Sequence, residues 1–240
     1  MDMIEGNQIR GIIFDKDGTL FDFQSTWSPW MVNLLQVLCG DNKECIRQKG
    51  SLLGFDFDNR SFLPESLFIA GTPDQFFDQL QNQFLEWPEN DLKKVVAETT
   101  EATEQIEVVP LGPVLAQLRK DEYVLGLATN DDEKDAKRHL GEKDLLKYFD
   151  FLAGFNSGYR SKPDPEMLLA FCHKTQLLPN ETAMVGDSTS DLLAGKRVGM
   201  FTVGVLSGVA KSEALTPHAN LIIKDIGDLQ MGLDRVNLKQ

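Results

Sequence analysis

Cysteine and histidine are scarce in this chain, three of each among 240 residues. Cys39, Cys45 and Cys172 lack the paired short spacing with histidine that structural zinc needs, and three cysteines cannot close a disulfide set. Three semi-buried thiols are the expectation. His139, His173 and His218 have no partner spacing that suggests a site, so they read as surface or core residues. No apolar stretch approaches the roughly 20 residues that cross a bilayer, and the opening MDMIEGNQIR has no basic segment leading into an apolar run. A cytoplasmic protein with no signal peptide and no membrane partner is expected. Basic residues are the minority, 24 Lys and Arg against 37 Asp and Glu, and the net charge of -13 argues against a nucleic-acid partner. An anionic substrate would need a local reversal of sign.

What is present is an ordinary globular composition, 42% hydrophobic and 25% charged. The apolar run Gly11 to Phe14 stops abruptly at Asp15-Lys16-Asp17-Gly18-Thr19, a buried strand entering a polar loop. Tyr123 to Ala128 stops in the same way at Thr129-Asn130-Asp131-Asp132. Helical and apolar segments then alternate: a helix over 132–140, a strand near 149–152, a helix over 165–176 and a strand over 182–185. A helix over 190–198 and strands over 201–205 and 221–223 complete the series. Such alternation predicts an α/β fold, a Rossmann-like three-layer sandwich with a parallel sheet. Between the first strand and residue 107 the period is helical, at Trp27 to Leu38, Asp74 to Phe84 and Asp91 to Ile106. An all-helical domain over 23–107, inserted after strand 1, is therefore expected to interrupt a core domain made of 1–22 and 108–240.

Ligands of parallel α/β sheets collect at the carboxyl ends of the strands. There the sequence places Asp15 and Asp17, Thr129 and Asn130, Lys162 before Pro163, and Asp187 with Asp191. If Asp15, Asp17 and Asp187 share a pocket, like charges 4 Å apart repel by about 4 kcal/mol at an effective dielectric of ~20. Such a cluster needs a cation, and oxygen-only donors favour Mg²⁺. Mg²⁺ and Lys162 would supply the reversal of sign that a phosphate requires. Thr129, the N–H that follows it and the helix beyond Asn130 offer further donors.

Asp15-Lys16-Asp17-Gly18-Thr19-Leu20, Thr129-Asn130, Lys162-Pro163 and Gly186-Asp187 with Asp191 resemble, in order, the four motifs of the haloacid dehalogenase-like hydrolase superfamily. The long gap after the first motif is similar to that of phosphoglycolate phosphatase-like members, which carry a helical C1-type cap there. The resemblance implies a phosphatase in which Asp15 is the nucleophile and Asp17 protonates the leaving alcohol, then activates water. It also implies that Gly18, Thr129, Asn130 and Lys162 bind the phosphoryl group. Asp15, Asp187 and the backbone carbonyl of Asp17 would hold Mg²⁺, with Asp191 in support. Dehalogenase and phosphonate-cleaving relatives lack an acid at the second position, so Asp17 favours a phosphate ester. The implied partner is a small phosphate ester, bound by a monomer or homodimer.

Lys16 stands where relatives often have an apolar residue, and both a solvent-facing side chain and a place at the pocket mouth remain open. The stretch Arg47 to Pro64 reads as a polar loop, and Arg47, Lys49, Ser51 and Arg60 are its candidates for substrate specificity. A sugar-phosphate mutase or pyrophosphatase could be built from the same parts. A phospho-aspartate receiver domain, the rival from another class, is about half this length and has no insertion between its acids and its threonine.

Overall fold

All four residues of Gly11–Phe14 are buried, as a strand covered on both faces must be. This strand is β1 in the computed structural model, which describes residues 8–64 and 66–237. In chain order there follow α1 (Phe23–Cys39), α2 (Lys43–Leu52), the two-residue strands β2 (Phe55–Asp56) and β3 (Ser61–Phe62), α3 (Leu67–Ala70), α4 (Pro73–Gln83) and α5 (Glu89–Glu101). Next come α6 (Leu111–Lys120), β4 (Val124–Ala128), α7 (Glu133–Glu142), β5 (Phe151–Ala153), α8 (Glu166–Thr175), β6 (Thr182–Gly186) and α9 (Thr189–Arg197). The series closes with β7 (Phe201–Val205), α10 (Ser212–Leu215), β8 (Leu221–Ile223) and α11 (Leu229–Asn237). By its contacts the chain divides into two compact units, Phe23–Ile106 and the residues on either side of it.

The flanking unit is the α/β domain. Its sheet runs β5-β4-β1-β6-β7-β8 and every pairing is parallel. Ile12 and Phe14 pack into one layer with Leu111, Leu115 and Leu140, while Ile13 packs into the other with Met167, Leu168 and Phe171. Side chains alternate along a strand, so one short strand feeds both cores, and helices cover both faces. The winding reverses beside β1, leaving β4 on one side of it and β6 on the other. That reversal is the switch point at which such sheets open a crevice. Register aligns the crevice: Phe14 pairs with Leu127 and with Val185, so the residues just beyond all three meet at one edge.

The inserted unit differs from the all-helical expectation. Its β2 and β3 form an antiparallel hairpin, Phe55 opposite Phe62, too short for an alternating pattern to be legible in the sequence. The stretch expected to be loop-like begins as helix α2, started by Asn42, whose side chain accepts from the Cys45 N–H. Only Ile46 and Gly50 of α2 are buried, which explains why its period was faint. Arg47 of this helix pairs with Asp58, and the Lys49 ammonium donates to the Gln83 carbonyl. A T-shaped and stacked aromatic cluster of Trp27, Trp30, Phe62 and Phe68 forms the core of the unit. The Trp30 indole N–H donates to Thr99 Oγ1 at 3.1 Å, joining α1 to α5.

The expectation of three thiols also fails. Cys39 and Cys45 are disulfide-bonded, and Cys172 remains a buried thiol. Gly40, with φ +59°, turns the chain at the end of α1 and brings the first turn of α2 back to Cys39. Among the described residues no helix is long and apolar enough to cross a membrane.

Candidate active site

Three strand ends build the site. Asp15 follows β1 directly, and its N–H donates to the Val185 carbonyl of β6. Thr129 follows β4, its N–H held by the Ala153 carbonyl, and Asp187 follows β6. Gly18, with φ +81°, lies in the turn beyond Asp15, and a Cβ there would strike the Asp187 carboxyl. Glycine lets this turn close on the carboxylate.

Lys162 reaches the site from the loop before α8. The Asn130 amide grips its backbone in two directions, Oδ1 accepting from the Lys162 N–H at 2.9 Å and Nδ2 donating to its carbonyl at 3.0 Å. So held, the ammonium donates to Asp15 Oδ1 at 2.6 Å and pairs with Asp191 Oδ1 at 2.6 Å. Asp191 Oδ2 accepts from both the N–H and the hydroxyl of Ser188, the N-cap of α9, and so closes a capping box. Thr129 Oγ1 accepts from the Asp131 N–H at 3.1 Å, an orientation that leaves its own proton to be donated.

Asp15, Asp187 and Asp191 are 8%, 5% and 2% exposed, and each brings a carboxylate oxygen within 4.8 Å of the other two. Burial pushes the Asp15 carboxyl up to about 7; Lys162 opposes the rise and Asp191 adds to it. Burial likewise lifts Asp187 well above the usual carboxylate range, with Asp15 and Asp191 adding to the effect. Burial by itself would depress Lys162, but Asp15 and Asp191 hold its ammonium above the ordinary lysine value. Three buried carboxylates facing one ammonium leave negative charge in excess, and every donor is oxygen. That donor set fits a hard divalent cation.

Two contributors carried no sequence signal. Ser207, past β7, donates its hydroxyl to the Gly18 carbonyl at 2.8 Å, and a Cβ at Gly208 would overlap the Asp187 side chain. Neither lies at a conspicuous strand stop. Lys16 corrects both readings left open for it, because its side chain is wholly buried against Asp17 at 2.7 Å and Asp131 at 3.1 Å.

His139 of α7 is also wholly buried. Burial lowers its pKa from 6.5 to about 2, with Lys16 and Arg138 adding to the fall. The native ring stays neutral while the unfolded ring binds a proton below 6.5, so the stability it contributes is present above 6.5 and lost on acidification. From pH 6.5 to about 4.5 the loss amounts to roughly 2 kcal/mol. His139→Gln should flatten the fall of the urea midpoint across that window; a fall as steep as the parent's would contradict it.

Sheet and site together define an α/β enzyme that gathers carboxylates and a lysine at its switch point. The family model of haloacid dehalogenase-like hydrolases matches residues 9–199, and the chain belongs to that family. A protein named "Probable phosphatase IndB" from Dickeya dadantii (strain 3937) is 28% identical over 238 residues, covering 95% of this chain and 94% of its own. A phosphoglycolate phosphatase of Yersinia pseudotuberculosis serotype I (strain IP32953) is 25% identical over 239 residues, 99% of this chain and 98% of that protein. Among solved structures, a predicted phosphoglycolate phosphatase from Haemophilus somnus 129PT superposes with TM-score 0.72 at 18% identity, covering 98% of this chain and 99% of the other. A beta-phosphoglucomutase from Clostridium difficile gives 0.62 at 18% identity, covering 96% and 100%. The two structural likenesses establish the fold, and the chain resembles phosphoglycolate phosphatase-like members of the family.

Proposed function

We propose that this hydrolase is a Mg²⁺-dependent phosphatase of small phosphomonoesters that works through an aspartyl-phosphate on Asp15, with phosphoglycolate as the leading substrate. The observation that carries the reading is the buried Asp15 carboxylate, held by Lys162 beside Asp187 and Asp191 at the switch point. The phosphatase names of its full-length relatives support it.

In this reading Lys162 fixes one oxygen of Asp15 and leaves the other to attack phosphorus. Thr129 Oγ1 donates to a phosphoryl oxygen, as does the backbone N–H of Asn130, whose amide is occupied in holding Lys162. As the P–O ester bond breaks, its electron pair goes to the leaving oxygen together with a proton from Asp17. Asp17 then takes a proton from the water that attacks phosphorus, releasing phosphate and restoring Asp15. Asp15, Asp187 and the Asp17 carbonyl would hold Mg²⁺, which supplies neutralisation of charge on the transferring group. Asp191 holds the far side of Lys162.

The test is a screen of small phosphate metabolites with and without Mg²⁺, with both inorganic phosphate and organic products identified. Phosphate release that chelation abolishes and added Mg²⁺ restores is expected. An isomerised sugar phosphate in place of free phosphate would make the enzyme a mutase, and activity indifferent to chelation would remove the metal.

A further inference from the structure

The phosphatase reading gives no task to Lys16, yet its charged side chain is wholly buried in the core unit. Its ammonium meets Asp17 Oδ2 at 2.7 Å on its own loop and Asp131 Oδ2 at 3.1 Å on the loop after β4. His139 Nδ1 of α7 lies 3.4 Å away, Arg138 lies 2.9 Å from the other ring nitrogen, and the Phe21 ring centroid is 6.0 Å from the ammonium. The two carboxylates thus face one buried ammonium, one from each loop.

Backbone bonds carry this pairing to both halves of the site. The Lys16 carbonyl accepts from the N–H groups of Leu20 and Phe21, and the Gly18 N–H donates to Phe21, so the loop that holds Asp15 and Asp17 closes on Lys16 itself. On the other side, Asp131 gives its N–H to Thr129 Oγ1 and accepts the Phe155 N–H at its carbonyl. One ammonium thus spans the loop of the nucleophile and the loop that orients the threonine. A surface lysine would contribute little to such an arrangement; a buried one ion-paired with two carboxylates fixes their separation.

We propose that Lys16 is a positioning residue whose buried ammonium braces the Asp15–Asp17 loop against the Thr129–Asp131 loop and sets the Asp17 carboxyl where it passes its proton to the leaving oxygen. This rests on the phosphatase reading, in which Asp17 is the acid. The step balances without further reactants: the Asp15 oxygen bonds phosphorus, the ester P–O bond breaks, and the Asp17 proton goes to the departing oxygen. Lys16 keeps its proton and faces the carboxylate that remains.

A residue acting through the acid has a signature that simple structural support lacks, dependence on the leaving group. p-Nitrophenyl phosphate departs as a stabilised phenolate and needs little protonation, whereas phenyl phosphate needs more. kcat/KM reports steps up to the first irreversible one, the transfer to Asp15. In Lys16→Met, kcat/KM should fall at least about ten-fold further for phenyl phosphate than for p-nitrophenyl phosphate. An equal fall for the two esters, or no fall, overturns the inference while leaving the phosphatase reading intact. A parent protein that hydrolyses neither ester overturns both. If Lys16→Met does not fold, Lys16→Met combined with Asp17→Asn removes the nearer of the two carboxylates left without their cation. Compared with Asp17→Asn alone, that pair should lose no more than about three-fold on p-nitrophenyl phosphate, because no acid is left to position. A further loss of about ten-fold or more would assign Lys16 to structure only.

Discussion

Asp15→Asn should lower phosphate release by at least about 10³-fold while leaving the protein folded, because an amide is far too weak a nucleophile to form the acyl phosphate. The amide oxygen can still accept from Lys162, so the packing of the site survives the change. Its stability can be given a sign. Burial lifts the Asp15 carboxyl from 3.8 to about 7, so the fold prefers the neutral form. The stability contributed by this group is full below 3.8 and lost as pH rises through about 7. At pH 8 without added metal the variant should therefore melt no lower than the parent. Phosphate release and a thermal melt on the same preparation check both halves; a variant as fast as the parent would remove Asp15 from the mechanism.

Lys162→Met should be the more damaging change to the fold. The ammonium lies between two carboxylates at 2.6 Å each, with its side chain 2% exposed. Removing it while keeping a stem of similar volume leaves Asp15 and Asp191 buried with no cation from the protein, at a cost of about 3–5 kcal/mol. Activity should fall by about 10²–10³-fold, the range seen when one preorganised electrostatic contact is lost from a reacting group. Adding Asp191→Asn removes one of the stranded charges and should recover part of the urea midpoint. If the single variant unfolds at the parent's midpoint, the triad contributes nothing to stability.

The sheet was legible because its strands are short apolar runs with abrupt ends: β7 and β8 fall on the residues expected, and β6 extends one further. Those ends also marked Asp15, Thr129 and Asp187, since a polar residue directly after a buried strand has few other reasons to be there. Features that depend on distant partners were not legible. Lys16 looks like any solvated lysine until the chain brings back Asp131 and His139, the latter 123 residues away. Ser207 and Gly208 matter through closeness to Gly18 and Asp187, which no local pattern records. The Cys39–Cys45 bond needed the turn at Gly40, and α2 was missed because so little of it is buried. The closing helix α11 also escaped the reading.

Asp191 serves two masters with its two oxygens, one on Lys162 and the other on the Ser188 cap. Fraying of the opening turn of α9 would therefore unbalance the charges around Lys162 and Asp15 in the same motion. On the proposed reading, a substitution at Ser188, outwardly a helix cap, would weaken turnover together with folding.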